Sequence, residues 1–173
     1  MRERRVREEI NGRERLRSAA DLLFRREGYA QTSIAMILAG SGVKAPSLYH
    51  HFGDKEGLYL DWVLPALAEF GATIRAHAET KDRTIDALCT LFSGPKGLDV
   101  LQIAREVELM QRLESRTIIH QALHQEVVRA WADSRGSQAA AEQLALACSL
   151  SRPAYLRLFV RPELCSELGR LEA

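Results

Sequence analysis

Apolar residues recur at intervals of three and four along most of the chain, and no stretch keeps the alternation of a half-buried strand, so the pattern predicts an all-α protein. From residue 12 to 27, Leu16, Ala19, Ala20, Leu23 and Phe24 share one face of a first helix. Gly28 stands where a left-handed residue closes such a helix, and Tyr29 beyond it reads as a core aromatic. In TSIAMILAGSGVKAPSLYHHFGDK, residues 32–55, a second stripe of Ile34, Ile37 and Leu38 follows Thr32 or Ser33 as N-cap and stops at Gly40-Ser41-Gly42. A third helix starts at Pro46, which suits a first helical position, with Ala45 held extended before it. Leu48 and Phe52 turn inward together with Val43, which leaves Lys44, Ala45, Ser47, Tyr49, His50 and His51 over the remaining surface. So short a helix is not stable alone and must be held by its neighbours. A small helix offering a cation, hydroxyls and imidazoles is what the second element of a helix-turn-helix presents to a DNA groove.

Beyond this point the pattern is that of a bundle. Asp54 is an N-cap for a fourth helix reaching residue 78, whose buried side is marked by Leu58, Trp62, Leu67, Phe70 and Ile74. Pro65 inside it predicts a kink at residues 61–65. The kink is read as a static feature of the packing, with a ligand-driven hinge as the alternative. Further helices are expected over 82–92, with Ile85, Leu88, Leu91 and Phe92 inside, and over 98–113, with Leu101, Ala104, Val107, Leu109 and Met110 inside. Residues 93–97, Ser-Gly-Pro-Lys-Gly, read as the loop between them. Ser115 caps a helix to residue 133 carrying Ile118, Ile119, Leu123, Val127, Val128 and Trp131. An alanine- and leucine-rich stretch over 138–160, broken at Pro153, and a helix after Pro162 close the chain.

Composition adds little except in its distribution. The 173 residues are 46% hydrophobic and 27% charged, ordinary values for a globular protein, and no apolar run is long enough for a membrane span. The arginine-laden N-terminus lacks the apolar core of a signal peptide, so the expected location is cytoplasmic. Three widely spaced cysteines suggest neither a disulfide framework nor a metal site and read as buried thiols. The net charge of +1 hides an asymmetry. Residues 1–60 hold 11 Lys and Arg against 8 Asp and Glu, a net of +3, whereas residues 61–173 hold 13 against 15, a net of −2. The basic half contains the helix-turn-helix, which is the direction DNA binding requires. The charged tail with Arg2, Arg4, Arg5 and Arg7 reads as solvated, with an arm reaching phosphates or a minor groove as the alternative.

The run GVKAPSLYHHFGDKEGLY resembles the recognition-helix signature of the TetR family of transcriptional regulators, with close likeness over about residues 15–62. The resemblance implies a helix-turn-helix DNA-binding domain at 1–53 and a helical ligand-binding and dimerisation domain at 54–173. It places Ser33 at the DNA backbone as the cap of helix two, Tyr49 and His51 on phosphates, Ser47 and His50 on bases, and Lys55 on a further phosphate. Lys44, Ala45 and Pro46 would line the groove or its rims. Where the family commonly has a basic residue early in helix two, this chain has Ala35 and Met36. Gly40 and Gly57 each cost about 1 kcal/mol against alanine in a helix interior and predict a soft reading head. A pocket behind helix four is implied, with Phe70, Ile74, Leu88, Phe92, Leu101, Met110, Ile119 and Trp131 as candidate lining for an apolar or aromatic effector. Dimerisation is implied on the last helices, near Leu144, Leu150, Tyr155, Leu158, Phe159 and Leu164. The expected partners are a double-stranded palindromic operator, a second copy of the chain and a small-molecule effector, in a repressor without cofactor.

Other chemistry is thin. His120 and His124, with Glu126 nearby, share a helix face, but a zinc site wants two more ligands that the sequence does not place. They read as solvent-facing or pocket-lining side chains. No nucleophile triad, paired carboxylates or phosphate-binding glycine loop points to an enzyme. Two rivals remain: a metal or redox sensor working through His120, His124 or Cys89, and a helix-turn-helix used for protein contacts.

Overall fold

The computed structural model describes residues 2–78 and 90–132. Every regular element among them is helical. Helix α1, Arg2–Gln31, is longer than the apolar stripe predicts. Its packed part is that stripe, for Leu16, Ala20 and Phe24 repeat every fourth residue and are fully buried. At Gly28 (φ 82°, ψ 172°) the backbone leaves helical geometry before a last turn completes the element. The positive φ expected there is present, although the ψ is extended rather than left-handed helical.

Helices α2, Ile34–Ser41, and α3, Ala45–Phe52, follow the local rules closely. Ser33 is the N-cap of α2 and accepts the Met36 N–H at 3.2 Å. Gly42 adopts the left-handed conformation at φ 62° and donates its N–H to the Leu38 carbonyl, which ends the helix. The extended residue before α3 is Lys44, so the helix opens at Ala45, one residue earlier than expected, with Pro46 in its first turn. Asp54 caps α4, Lys55–Ala78, by accepting the Gly57 N–H at 2.9 Å. The helix runs through Pro65 as one element. Its buried side, Leu58, Tyr59, Trp62, Val63, Leu67, Phe70 and Ile74, packs on α1 and α3 near its start and on the later helices along its length.

The body departs from expectation in three places. Residues 90–93 are helical, and Pro95 and Gly97 belong to the first turns of α5, Pro95–Glu106, capped by Gly94, rather than to a loop. Pro-Gly punctuation looked like a loop, but proline at a helix start loses no hydrogen bond. The helix expected to reach residue 113 ends at Glu106 in a 3-10 turn, Val107–Leu109, and Met110 is extended. Leu109, expected in the core, is 54% exposed. Ser115 is not the cap of the next helix. That helix, α6, Leu113–Leu123, starts two residues earlier, and Ser115 is buried against Glu56. It continues as a π-helical segment, His124–Arg129, and a final turn, α7, Ala130–Ala132. The widened turn lies where Gly71 of α4 meets Glu126, so close that a Cβ on Gly71 would stand 2.7 Å from the Glu126 carbonyl oxygen. Leu88 and Cys89, and the candidate dimer residues Leu144, Leu150, Tyr155, Leu158, Phe159 and Leu164, lie outside the described residues.

Candidate nucleic-acid interface

Helix α3 is held from below by Leu48, which has no exposed surface, and at its end by Phe52, under the Arg13 guanidinium at 5.6 Å from the ring centroid. That anchoring decides which residues face outward. Lys44, Pro46, Tyr49 and His50 are exposed, as is Ser33 at the start of α2; Ala45, Ser47 and His51 are half-buried. Tyr49 keeps 52% of its surface although it is a large aromatic ring. An exposed tyrosine between exposed imidazole and lysine groups is a surface suited to phosphate and base contacts. Ser47 lies beside α1, its Oγ 3.5 Å from where a Cβ of Gly12 would stand. The two imidazoles are neighbours, with His50 and His51 ring centroids 5.2 Å apart, and His51 Nε2 is buried with no hydrogen-bond partner among the described residues.

Lys55 bonds within the fold. Its Nζ donates to the Tyr29 carbonyl at 2.7 Å and the Thr32 carbonyl at 2.9 Å and sits 4.0 Å from the centroid of the Tyr29 ring. Desolvation lowers its pKa, against the opposing pull of Glu106 and Glu56. The ammonium thus ties the link between α1 and α2 to the start of α4.

Three arginines of α1 were not singled out by sequence reasoning. Arg13 and Arg17 pair with Asp61 of α4 at 2.8 and 2.7 Å, which fixes α1 against α4. Exposed Arg15 reaches the turn before α3, its Nη2 2.7 Å from the position a Cβ on Gly42 would take. Their spacing along the polar side of α1 was the available signal, but its meaning depends on the packing of α1 beneath α3.

Acidic side chains join the reading head to the body. Glu56, in the first turn of α4, accepts the N–H groups of Gln111 and Arg112 at 2.7 and 3.3 Å and the Arg112 Nε at 2.9 Å. Burial alone would raise its carboxyl, but the hydrogen bonds from Arg112, Gln111 and Ser115 hold it below the ordinary range. These bonds also explain why α5 does not run on to residue 113, since Gln111 and Arg112 give their N–H groups to Glu56. Asp99 pairs with Arg25, yet burial outweighs the arginine and raises the Asp99 carboxyl. Tyr29 is pushed up to about 12, first by burial and then by the charges of Glu56 and Asp54.

The candidate pocket lining is packed as core. Phe70, Ile74, Phe92, Met110, Ile119 and Trp131 are buried and Leu101 is half-buried, with the Phe70 and Phe92 rings 5.1 Å apart. Open clefts lie nearer the head. One of about 490 Å³ between α1 and α4 is walled by Asp21, Arg25, Trp62 and Glu69, and another of about 440 Å³ lies where Tyr29, Ile34, Lys55, Leu109 and Arg112 meet. His120 Nε2 lies 3.1 Å from Glu108 Oε1, and no group of three or more metal-ligating side chains occurs among the described residues. No described helix is long and apolar enough to cross a membrane.

Residues 16–61, from the packed part of α1 into α4, match the family model of bacterial regulatory proteins, tetR family. That segment carries the TetR-family helix-turn-helix signature. Among similar proteins, the HTH-type transcriptional repressor AcnR of Corynebacterium efficiens is 26% identical over 124 residues, 69% of this chain and 63% of its own length. The HTH-type transcriptional repressor ComR of Escherichia coli K12 is 33% identical over 73 residues, 42% of this chain and 35% of its own. The chain thus spans 63% of the length of the AcnR relatives. A solved structure from Rhodococcus sp. RHA1 covers 92% of this chain and 86% of its own at 22% identity, with a TM-score of 0.54. That likeness extends the shared fold past the matched segment.

Proposed function

We propose that this chain is a TetR-family transcriptional repressor that binds a palindromic operator as a homodimer and is released by a small apolar or aromatic effector. The observation that carries the reading is the orientation of α3: Leu48 is fully buried beneath it while Lys44, Tyr49 and His50 stand exposed above. Each chain inserts that face into the major groove, and two-fold symmetry makes the site an inverted repeat. Ser33 and the N-terminus of α2 take a phosphate, with Tyr49 and His51 on the backbone and Ser47 and His50 on bases. Its setting is the cytoplasm, where the DNA is. Relatives described as transcriptional repressors support this reading and give no support to an enzyme. Selection of bound duplexes from random DNA by the full chain tests it. Enrichment of an inverted repeat, bound with an affinity that falls linearly as log K against log salt, is the expected result. A selection that enriches no sequence at any salt concentration overturns it, and a small-molecule screen against the selected complex identifies the effector.

A further inference from the structure

The link between α1 and α2 is held from the body by one buried carboxylate. Glu106, the last residue of α5, is 3% exposed, and its Oε2 accepts the backbone N–H of Tyr29 at 2.9 Å and the Tyr59 hydroxyl at 3.3 Å. It approaches the chain at Gly28, where a Cβ would stand 2.1 Å from its Oε1, so only glycine admits it. Gly28 is also where α1 leaves helical geometry, and the Tyr29 N–H just beyond is donated to another helix. The link itself is closed on both sides. Thr32 returns its N–H and its Oγ1–H to the Gly28 carbonyl at 3.2 and 2.7 Å, and Lys55 binds the Tyr29 and Thr32 carbonyls. Helix α2 begins two residues later.

Two more contacts from the same face of α5 support the arrangement. Gln102 donates to the Phe24 carbonyl at 2.7 Å, and Asp99 pairs with Arg25, so positions 99, 102 and 106 run along the end of α1. A buried carboxylate is expensive unless donors satisfy it, and packing alone is served as well by an apolar residue of similar size. What a carboxylate adds is direction: it holds the Tyr29 N–H to one place on α5.

We propose that Glu106 is a positioning residue for operator recognition, setting through the Gly28–Thr32 turn the angle at which each reading head is carried on the body. In a dimer that angle sets the distance between the two recognition helices. The proposal rests on the dimeric operator reading given above. A body rearrangement that moves the end of α5 then moves α2 and α3 with it, through the Tyr29 N–H.

The test measures binding of the full-length chain to duplexes carrying one half-site, or two half-sites at the selected spacing and at spacings one base pair longer or shorter. Wild type, Glu106→Ala and Glu106→Gln are compared, with folding checked by circular dichroism. Half-site affinity is expected to stay within about twofold of wild type in both variants. The preference for the selected spacing is expected to fall about fivefold or more in Glu106→Ala. In Glu106→Gln it falls less, since the amide oxygen still accepts from Tyr29. Parallel loss of half-site and full-site binding assigns Glu106 to folding alone and overturns the proposal. So does a folded Glu106→Ala with the wild-type spacing preference; Glu106→Met, of similar length and without a carboxylate acceptor, decides the matter in the same way if the alanine variant does not fold. A wild-type chain with no spacing optimum removes the dimeric reading itself, and this proposal with it.

Discussion

Gly57 in the first turn of α4 meets the carbonyl oxygen of Phe52, the last residue of α3, so closely that a Cβ would stand 1.9 Å from it. Sequence reasoning took Gly57, like Gly40, as a source of softness. The geometry gives it the opposite role, because its missing side chain lets the recognition helix end directly against the start of the next. Gly57→Ala is therefore expected to lower stability by about 1–3 kcal/mol, as overpacking does. Gly40 meets only the Ala19 Cβ at an ordinary 3.5 Å, so Gly40→Ala is expected to be neutral or to stabilise by up to about 1 kcal/mol. Thermal melts of the two variants side by side decide it; a stable Gly57→Ala chain would show that α3 and α4 part without cost.

Adjacent residues of α3 separate folding from binding. Leu48→Ala is expected to cost about 2–5 kcal/mol of stability, because a fully buried leucine leaves a cavity. Tyr49→Ala, at a side chain 52% exposed, is expected to shift stability by no more than about 0.5 kcal/mol. It should nevertheless weaken operator binding, in proportion across sequences if the ring meets phosphates. Retention of full affinity by Tyr49→Ala would remove this residue from the interface.

Two lysines near the head are expected to behave differently. Lys44 is exposed at the start of α3, so Lys44→Ala should reduce the slope of log K against log salt by about one if it neutralises a phosphate. Lys55→Met removes two hydrogen bonds into the α1–α2 link and is expected to lower stability by about 1–3 kcal/mol while leaving the slope unchanged. Salt titrations of both variants discriminate, and a reduced slope for Lys55→Met would place its ammonium on a phosphate as well.

The Glu56 carboxyl predicts an acid limit. Its folded pKa lies below the ordinary 4.5, so its stabilisation is complete above that value and is lost as pH falls through the folded pKa. Unfolding measured from pH 7 down to 3 should show stability falling once the pH drops below about 4.5, and Glu56→Gln should flatten that part of the curve. The raised Asp99 carboxyl acts in the other direction, favouring the fold while protonated, and so partly offsets the loss. An unchanged acid limb in Glu56→Gln would mean that its bonds to Gln111 and Arg112 carry no net stability.

The head was legible because its signals are local. Ser33 as cap, Gly42 as left-handed terminator, Pro46 in the first turn and Asp54 as the next cap each act within a few residues, and Leu48 sets the inward face of α3 by its position alone. The body misled because its turning points answer to distant residues. Nothing within a few residues of Ser115, Leu109 or Gln111 shows that Glu56, more than fifty positions earlier, takes the N–H groups on which a longer α5 would depend.

Composition and periodicity determined the all-helical class and the outward set of Lys44, Tyr49 and His50, since a helix's own repeat divides its residues between inside and outside. Tertiary structure alone decided that Lys55 is a tie within the fold, that Gly57 is a point of contact, and that Glu106 reaches across to Tyr29. Those outcomes depend on which backbone groups remain to be satisfied once helices meet, and hydrogen bonds between residues tens of positions apart leave no repeat in the order of the amino acids.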